Sequence, residues 1–414
     1  MKEKLLVLLL DDIAEAVLQP LRDAGFEITQ DQGLAEQVAI IIVRSSKVRD
    51  FDQFPNLVLI VRAGAGTDNI DKTEATKRGV IVLNTPGANA DSVKELLFAM
   101  MVILARKMMK SQALIRAELV GMTDPKAIEK KVNQLKKGCT GHEIGKKNFG
   151  VIGLGRIGAL VAEAARNLDM EVFGCDPWIS SERQEGLVKL GITLVDKLED
   201  LVALVREGYL TVHVPAVSEN IGLVNSKILA GFEGYLLNTS RYDVVDDAAI
   251  LELIRAGQII GYGTDFPTRW LLTPEAMTLV DEGKLLLNTH LGATTIEASA
   301  NCATMGVGQI IRFFKDRSVV NGVNVGSLEA KKAKSGVVQR LFAMNSDEKG
   351  AAEHLSRVLR EANINIRDIQ LSGQGEGAGA VSFFDIDSPI SEEVRQKLEA
   401  DERILWVEVL DLAA

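Results

Sequence analysis

Phe149-Gly150-Val151-Ile152-Gly153-Leu154-Gly155-Arg156-Ile157-Gly158 is the stretch that decides how this chain folds. Residues 149–152 read as a buried strand, and the glycines at 153, 155 and 158 follow it directly and open a helix predicted over 156–167. Gly153 permits a tight turn, Gly155 lets the backbone approach a pyrophosphate, and Gly158 allows the helix to pack closely on the strand. The helix start supplies N–H groups and a positive dipole end. Asp176 closes the next predicted strand, Glu171–Cys175, 23 residues beyond Gly153. A carboxylate there can accept both ribose hydroxyls and repel a 2′-phosphate. The spacing predicts a dinucleotide site built on Gly153, Gly155, Arg156, Ile157, Gly158 and Asp176, with NAD favoured over NADP.

Outward from this loop, strand-like runs alternate with amphipathic stretches, which implies βαβ units around parallel sheets. Upstream lie 5–10, 38–43, 57–61 and 80–83; downstream lie 171–175, 210–214, 235–238, 259–265 and 285–288. The apolar segment 89–107 predicts a long helix joining two domains, and the polar, Lys-rich 110–147 places a boundary near 110. After Leu328, Glu329-Ala330-Lys331-Lys332-Ala333-Lys334-Ser335-Gly336 has no apolar periodicity and reads as a solvated linker. Beyond it the pattern is strand 337–344, helix 350–362, strand 364–372, a Gly-rich turn, strand 378–387, helix 391–400 and strand 404–410. That order, βαββαβ, predicts a ferredoxin-like sandwich.

Length and composition bound the possibilities. The chain has 414 residues, 47% apolar and 25% charged, with 47 basic against 57 acidic side chains and a net charge of −10. Two to four globular domains are expected at this length. The segment 337–414 holds 8 basic and 15 acidic residues, so the tail carries most of the acidity. An acidic chain without a basic stripe argues against nucleic acid as the main partner. The longest apolar run, 96–105, is too short to span a bilayer. Met1–Lys4 followed by 5–10 resembles a signal peptide, but the apolar run stops at Asp11-Asp12 without a cleavage site and reads as a first strand. Cys139, Cys175 and Cys302 have no metal spacing and fit a reducing cytoplasm.

Two further features carry chemistry. Asn238-Thr239-Ser240-Arg241 ends a predicted strand at the edge where open α/β sheets place ligands, and a guanidinium at Arg241 suits a carboxylate. His290, in His290-Leu291-Gly292-Ala293, follows the last strand and is one of four histidines; it can take and return a proton near neutral pH. His142 and His354 sit in polar stretches, and His213 sits in a strand beside Pro215.

With these residues in view, the chain resembles the D-isomer-specific 2-hydroxyacid dehydrogenase family. The likeness runs from residue 1 to about 328 through 62–71, 84–90, the nucleotide loop, His213-Val214-Pro215, Arg241 with Val245-Asp246, and 290–294. It implies a discontinuous substrate domain, 1–110 with 290–328, into which an NAD domain, 111–289, is inserted, with the chemistry in the cleft between them. It further implies that Arg241 fixes the substrate carboxylate and that His290 removes the hydroxyl proton. Arg44, Ser46, Arg62, Gly64 and Asn89 would receive a phosphorylated 2-hydroxy acid, namely 3-phosphoglycerate, giving 3-phosphohydroxypyruvate. His213, Val214, Pro215, Ser240, Asp265, His290 and Gly292 would complete the NAD site, with no metal. The partner is then a small phosphorylated acid, and a homo-oligomer, dimer or tetramer, is expected.

The chain departs from the family at several points. Where most members carry a glutamate that pairs with the catalytic histidine, it reads Asp265-Phe266-Pro267-Thr268-Arg269-Trp270, leaving Asp265, Glu275 or Asp281 to reach His290. Tyr242 replaces a glycine and Lys94 a small residue. The tail, 337–414, resembles an ACT module for regulation or dimerisation, although only Gly350 of its effector loop is kept. Two other functions stay open: oxidation or reduction of another 2-hydroxy or 2-oxo acid, and an NAD(H)-sensing binding protein with little turnover.

Overall fold

Val38-Ala39-Ile40-Ile41-Ile42-Val43 is buried at every position because its strand lies at the centre of a parallel sheet covered on both faces. Its neighbours follow in the order Glu27–Thr29, Leu6–Leu9, Val38–Val43, Leu59–Arg62, Ile81–Asn84. The computed structural model describes residues 5–375 and 378–412; the basic start Met1–Lys4, Glu376–Gly377 of the Gly-rich turn and Ala413–Ala414 lie outside the described residues. Glu27–Thr29 and the two-residue Thr193–Leu194 are strands that the sequence pattern leaves unmarked, since each is a short sheet edge. No helix among the described residues is long and apolar enough to cross a membrane.

The second sheet has seven parallel strands, ordered Leu285–Leu287, Gly261–Thr264, Tyr235–Asn238, Tyr209–Val212, Asn148–Ile152, Glu171–Cys175, Thr193–Leu194. Strand order reverses between Asn148–Ile152 and Tyr209–Val212, the place where such sheets bind ligands outside their carboxyl ends. Gly153 and His213 are the next residues of these two strands.

The chain divides into two compact units, Met1–Asn89 with Ser299–Ala414, and Ala90–Ala298. The sequence reading places these divisions near 110 and 290. The helix Ala90–Ala105 explains the first difference: Leu97, Met100, Met101 and Leu104 bury themselves with Phe149, Val151 and Leu237 of the second sheet, so this helix belongs wholly to the second unit. The Lys-rich stretch beyond it forms the helices Met108–Glu118 and Pro125–Leu135, the latter capped by Asp124 with proline in its first turn.

The tail is not set apart by its linker. Its strands pair antiparallel in the order Ile366–Gly373, Ala380–Ile386, Gln339–Asn345, Ile404–Asp411, with the helices Ala351–Glu361 and Glu392–Glu399 between them in the chain. Alternation along Gln339–Asn345 sends Leu341 and Ala343 into the core shared with Leu355, Leu359 and Leu398 of these helices. Phe342 and Met344 point the other way and join Phe313, Val319, Val325, Leu59 and Ile81 in one core with the first sheet. Polar contacts fix the same face: Arg317 donates to both carboxylate oxygens of Glu408 at 2.6 Å, and the Trp406 indole donates to the Gly79 carbonyl at 2.9 Å.

Candidate functional site

Each glycine of the loop has a distinct steric reason. Gly153 has φ +85°, and a Cβ there would stand 2.9 Å from Val214 Cγ1 and 3.0 Å from the His213 carbonyl group. A Cβ on Gly158 would lie 1.9 Å from the Gly153 carbonyl oxygen, so only glycine lets the helix Arg156–Arg166 sit this close to the turn. A Cβ on Gly155 would meet nothing within 4 Å, and Gly155 caps that helix without a side chain. Asp176 follows Glu171–Cys175, and its carboxylate accepts the Leu154 amide at 2.8 Å and the Trp178 amide at 3.0 Å. The ribose-binding carboxylate expected from sequence is thus tied to the glycine loop itself. These residues fit a dinucleotide: a cradle that Cβ atoms would fill, a helix start, and an acid at its rim.

Residues on the neighbouring strand ends support the cradle. His213 is partly buried, its Nε2 3.0 Å from the Thr211 hydroxyl, and burial pushes its pKa down to about 3, so the ring is neutral. Ser240 receives order from Asn238, whose Oδ1 accepts the Ser240 amide at 2.9 Å and whose Nδ2 donates to the Arg241 carbonyl at 3.0 Å. The Ser240 hydroxyl donates to the Val214 carbonyl, which links the ends of two adjacent strands and fixes Val214-Pro215. Arg241, half-buried, donates from Nη1 to the Ser240 carbonyl at 2.7 Å.

His290 sits on a turn hung from a buried side chain. Asp265, 1% exposed, accepts the Leu291 and Gly292 amides at 2.7 Å each, and its carbonyl accepts the His290 amide at 3.0 Å. Burial raises the Asp265 pKa, while these amides and the nearby His290 pull the other way. Both Asp265 oxygens are engaged within the protein, where the sequence reading gives this residue a cofactor contact. A Cβ on Gly292 would stand 3.0 Å from Asp265 Oδ2, so the turn needs glycine there. His290 itself has φ +62°, the left-handed conformation that costs a non-glycine residue free energy and collects at functional sites. Its imidazole is exposed to solvent.

An aromatic row braces this imidazole, and sequence reasoning missed it. The Phe266 ring lies 4.6 Å from the His290 ring, and Tyr242 meets Phe266 edge-on at 5.0 Å. Tyr242 adjoins Arg241, so the row connects the neighbourhood of the guanidinium with that of the His290 imidazole. The only sequence signal was the departure at position 242. Of the acids weighed as partners for His290, Asp281 lies 3.6 Å from Arg116, Glu275 is exposed in the first turn of Pro274–Asp281, and Asp265 is bonded to the His290 turn.

The remaining expected substrate residues lie in the first unit. Asp11 accepts the amides of Arg44, Ser45 and Ser46 and the Ser46 hydroxyl, shaping the loop after Val38–Val43; these bonds hold its pKa below the usual range despite burial. Arg44 donates to the Ser299 hydroxyl. Arg62 ends Leu59–Arg62 and folds over Gly64, where a Cβ would lie 1.5 Å from its Nη1. Buried Asn89 has no partner on its Oδ1 among the described residues. Lys94 pairs with Asp91 on its own helix at 2.5 Å.

Residues 98–292 match the family model described as D-isomer specific 2-hydroxyacid dehydrogenase, NAD binding domain, so this part of the chain is a domain of that family. Its curated relatives include the D-3-phosphoglycerate dehydrogenase of Archaeoglobus fulgidus, 32% identical over 338 residues (78% of this chain, 60% of that protein). The enzyme of the same name from Bacillus subtilis is 31% identical over 334 residues (78% and 59%). The chain thus spans about 60% of the length of these relatives. Among solved structures, the NAD+-bound 3-phosphoglycerate dehydrogenase of Entamoeba histolytica shares the fold with a TM-score of 0.60 at 24% identity, covering 77% of this chain and 98% of that one. D-2-hydroxyisocaproate dehydrogenase does so at 0.63 and 19%, covering 77% and 99%.

Proposed function

We propose that this chain is an NAD-dependent D-2-hydroxyacid dehydrogenase that oxidises the C2 hydroxyl of 3-phosphoglycerate to 3-phosphohydroxypyruvate, the first step of phosphorylated L-serine biosynthesis. The observation that carries this reading is the Asp265-hung turn, which presents an exposed imidazole at His290 beside the aromatic row leading to Arg241. The curated relatives supply the substrate. NAD, when bound, supplies the acceptor for the hydrogen lost from C2; Gly153, Gly155, Arg156, Ile157 and Gly158 would hold its pyrophosphate, Asp176 its ribose, and His213, Val214, Pro215, Ser240, Asp265 and Gly292 would line the rest. Arg241 fixes the substrate carboxylate through charge-assisted hydrogen bonds, and His290 accepts the hydroxyl proton at a ring nitrogen. Arg44, Ser46, Arg62, Gly64 and Asn89 serve the phosphate and carboxylate. The tail is an ACT-like module on the strength of its strand order, and the working form is a cytoplasmic homo-oligomer.

The test is NADH formation with 3-phosphoglycerate and a panel of other 2-hydroxy acids. Arg241→Gln should lower kcat/KM by about 2 to 4 kcal/mol while NAD binding survives; normal turnover by the variant would remove Arg241 from the site. A second reading, a different 2-hydroxy or 2-oxo acid, draws on Tyr242 and Trp270, whose rings are nearly half exposed on the two segments flanking Phe266. Preference for a panel member over 3-phosphoglycerate would favour it.

A further inference from the structure

Asp247 is a carboxylate that the proposed reaction does not use, 3% exposed and joined to the segment before His290 at two points. Its Oδ1 accepts the Tyr262 hydroxyl at 2.9 Å, and its Oδ2 accepts the Thr268 hydroxyl at 2.6 Å. It opens the helix Asp247–Arg255, whose cap is Asp246, so its backbone is fixed by the helix rather than by the loop it holds. Tyr262 is fully buried in the strand Gly261–Thr264, and Thr268 stands six residues further on. Between these two anchors lie the Asp265 carboxylate, which accepts the Leu291 and Gly292 amides, and the Phe266 ring, 4.6 Å from the His290 imidazole.

The arrangement is costly for a merely structural contact. Burial raises the Asp247 pKa to about 6, the adjacent Asp246 adds to the rise, and the Thr268 and Tyr262 hydrogen bonds only partly offset it. An apolar side chain would fill the space without this penalty, but it would leave the Thr268 and Tyr262 hydroxyls without this shared acceptor. The two-point attachment instead fixes the length and path of 262–268, and hence where Phe266 presses on the imidazole.

We propose that Asp247 is a positioning residue for the reaction at His290, gripping Tyr262 and Thr268 so that Asp265 and Phe266 hold the imidazole in a single orientation. The inference rests on the dehydrogenase reading and deepens it, adding a brace behind His290.

The experiment uses the full chain with Asp247→Asn, Thr268→Val, the double variant and Thr268→Ser. Asp247→Asn and Thr268→Val should each lower kcat by about tenfold, the scale of a small misplacement of a reacting group, with KM and NADH affinity within about twofold of the parent. The double variant should be no slower than the slower single, because both changes remove the same bond. Thr268→Ser, which keeps the hydroxyl, should restore the parent kcat. Unchanged kcat, additive losses or a parallel rise in KM would overturn the proposal. Should Asp247→Asn fail to fold, Thr268→Val with its serine rescue decides alone. If the parent oxidises no 2-hydroxy acid, the dehydrogenase reading falls, while the His290 ring-proton resonances still judge the brace: a Phe266 ring-current shift lost alike in both variants supports it, and an unaltered shift overturns it.

Discussion

Asp265 holds Gly292 through a carboxylate oxygen that accepts its backbone amide at 2.7 Å, and the second oxygen takes the Leu291 amide at the same distance. One buried side chain therefore fixes the turn that puts His290 at φ +62°. Asp265→Asn would replace one acceptor by an NH2 group facing an amide N–H. We expect a loss of about 1 to 3 kcal/mol of stability and a larger loss of kcat than of cofactor affinity. Thermal unfolding with kinetics and NADH titration of the same variant checks this; an unchanged melting temperature would mean that the turn is held elsewhere.

Deleting 337–414 should not leave a folded body, although the sequence reading of 329–336 as a linker suggests that it would. Phe342, Met344, Val381 and Phe383 are fully buried in a core shared with Phe313, Val319 and Val325, and each buried side chain of this size contributes about 1.5 to 3 kcal/mol. The truncated chain should aggregate or lose its cooperative transition. A soluble, cooperatively melting product would show that the shared core is dispensable.

Asp176→Ala should narrow the preference for NAD(H) over NADP(H). The substitution removes the carboxylate that would repel a 2′-phosphate, and it also frees the Leu154 amide, so affinity for NADH should fall as that for NADPH rises. Fluorescence titration of both cofactors reads the ratio. Equal affinities in the parent would sink the role given to Asp176.

Stability should fall on the acid side because of His213. Its folded pKa is depressed to about 3 by burial, against 6.5 in the unfolded chain, so its contribution is complete above about pH 6.5 and is lost as pH drops toward 3. Across that window the unfolded state binds the extra proton, with a slope approaching about 1.4 kcal/mol per pH unit from this group. His213→Asn should flatten the decline in denaturant midpoints between pH 6 and 4; a decline of unaltered slope would assign it to the carboxylates.

Reading the sequence recovered the elements whose patterns are local. Val38–Val43, Glu171–Cys175 and Tyr235–Asn238 lie where their apolar runs predict, because a strand buried on both faces leaves an unbroken signature. The tail's alternation of strands and helices was equally legible, and so was the glycine loop, since each glycine answers to a neighbour a few residues away or on the adjoining strand. Arg241 and His290 could be named as candidates because each directly follows a strand or its turn. The edge strands Glu27–Thr29 and Thr193–Leu194 were not legible, for they are too short to impose a period.

The sequence by itself determined the two parallel sheets, the antiparallel tail and the chemical identity of the candidate side chains, all of which follow from periodicity, turn residues and fixed spacings. Only the tertiary structure decided that Ala90–Ala105 belongs with the NAD-binding sheet, that the tail shares a core with the first sheet, and that Asp265 spends its carboxylate on two amides while Phe266 braces His290. The physical reason is common to these cases. Which face of a helix or sheet finds a partner, and which acceptor satisfies a buried amide, depends on groups tens to hundreds of residues apart in the chain, and no local pattern of hydrophobicity or charge encodes that pairing.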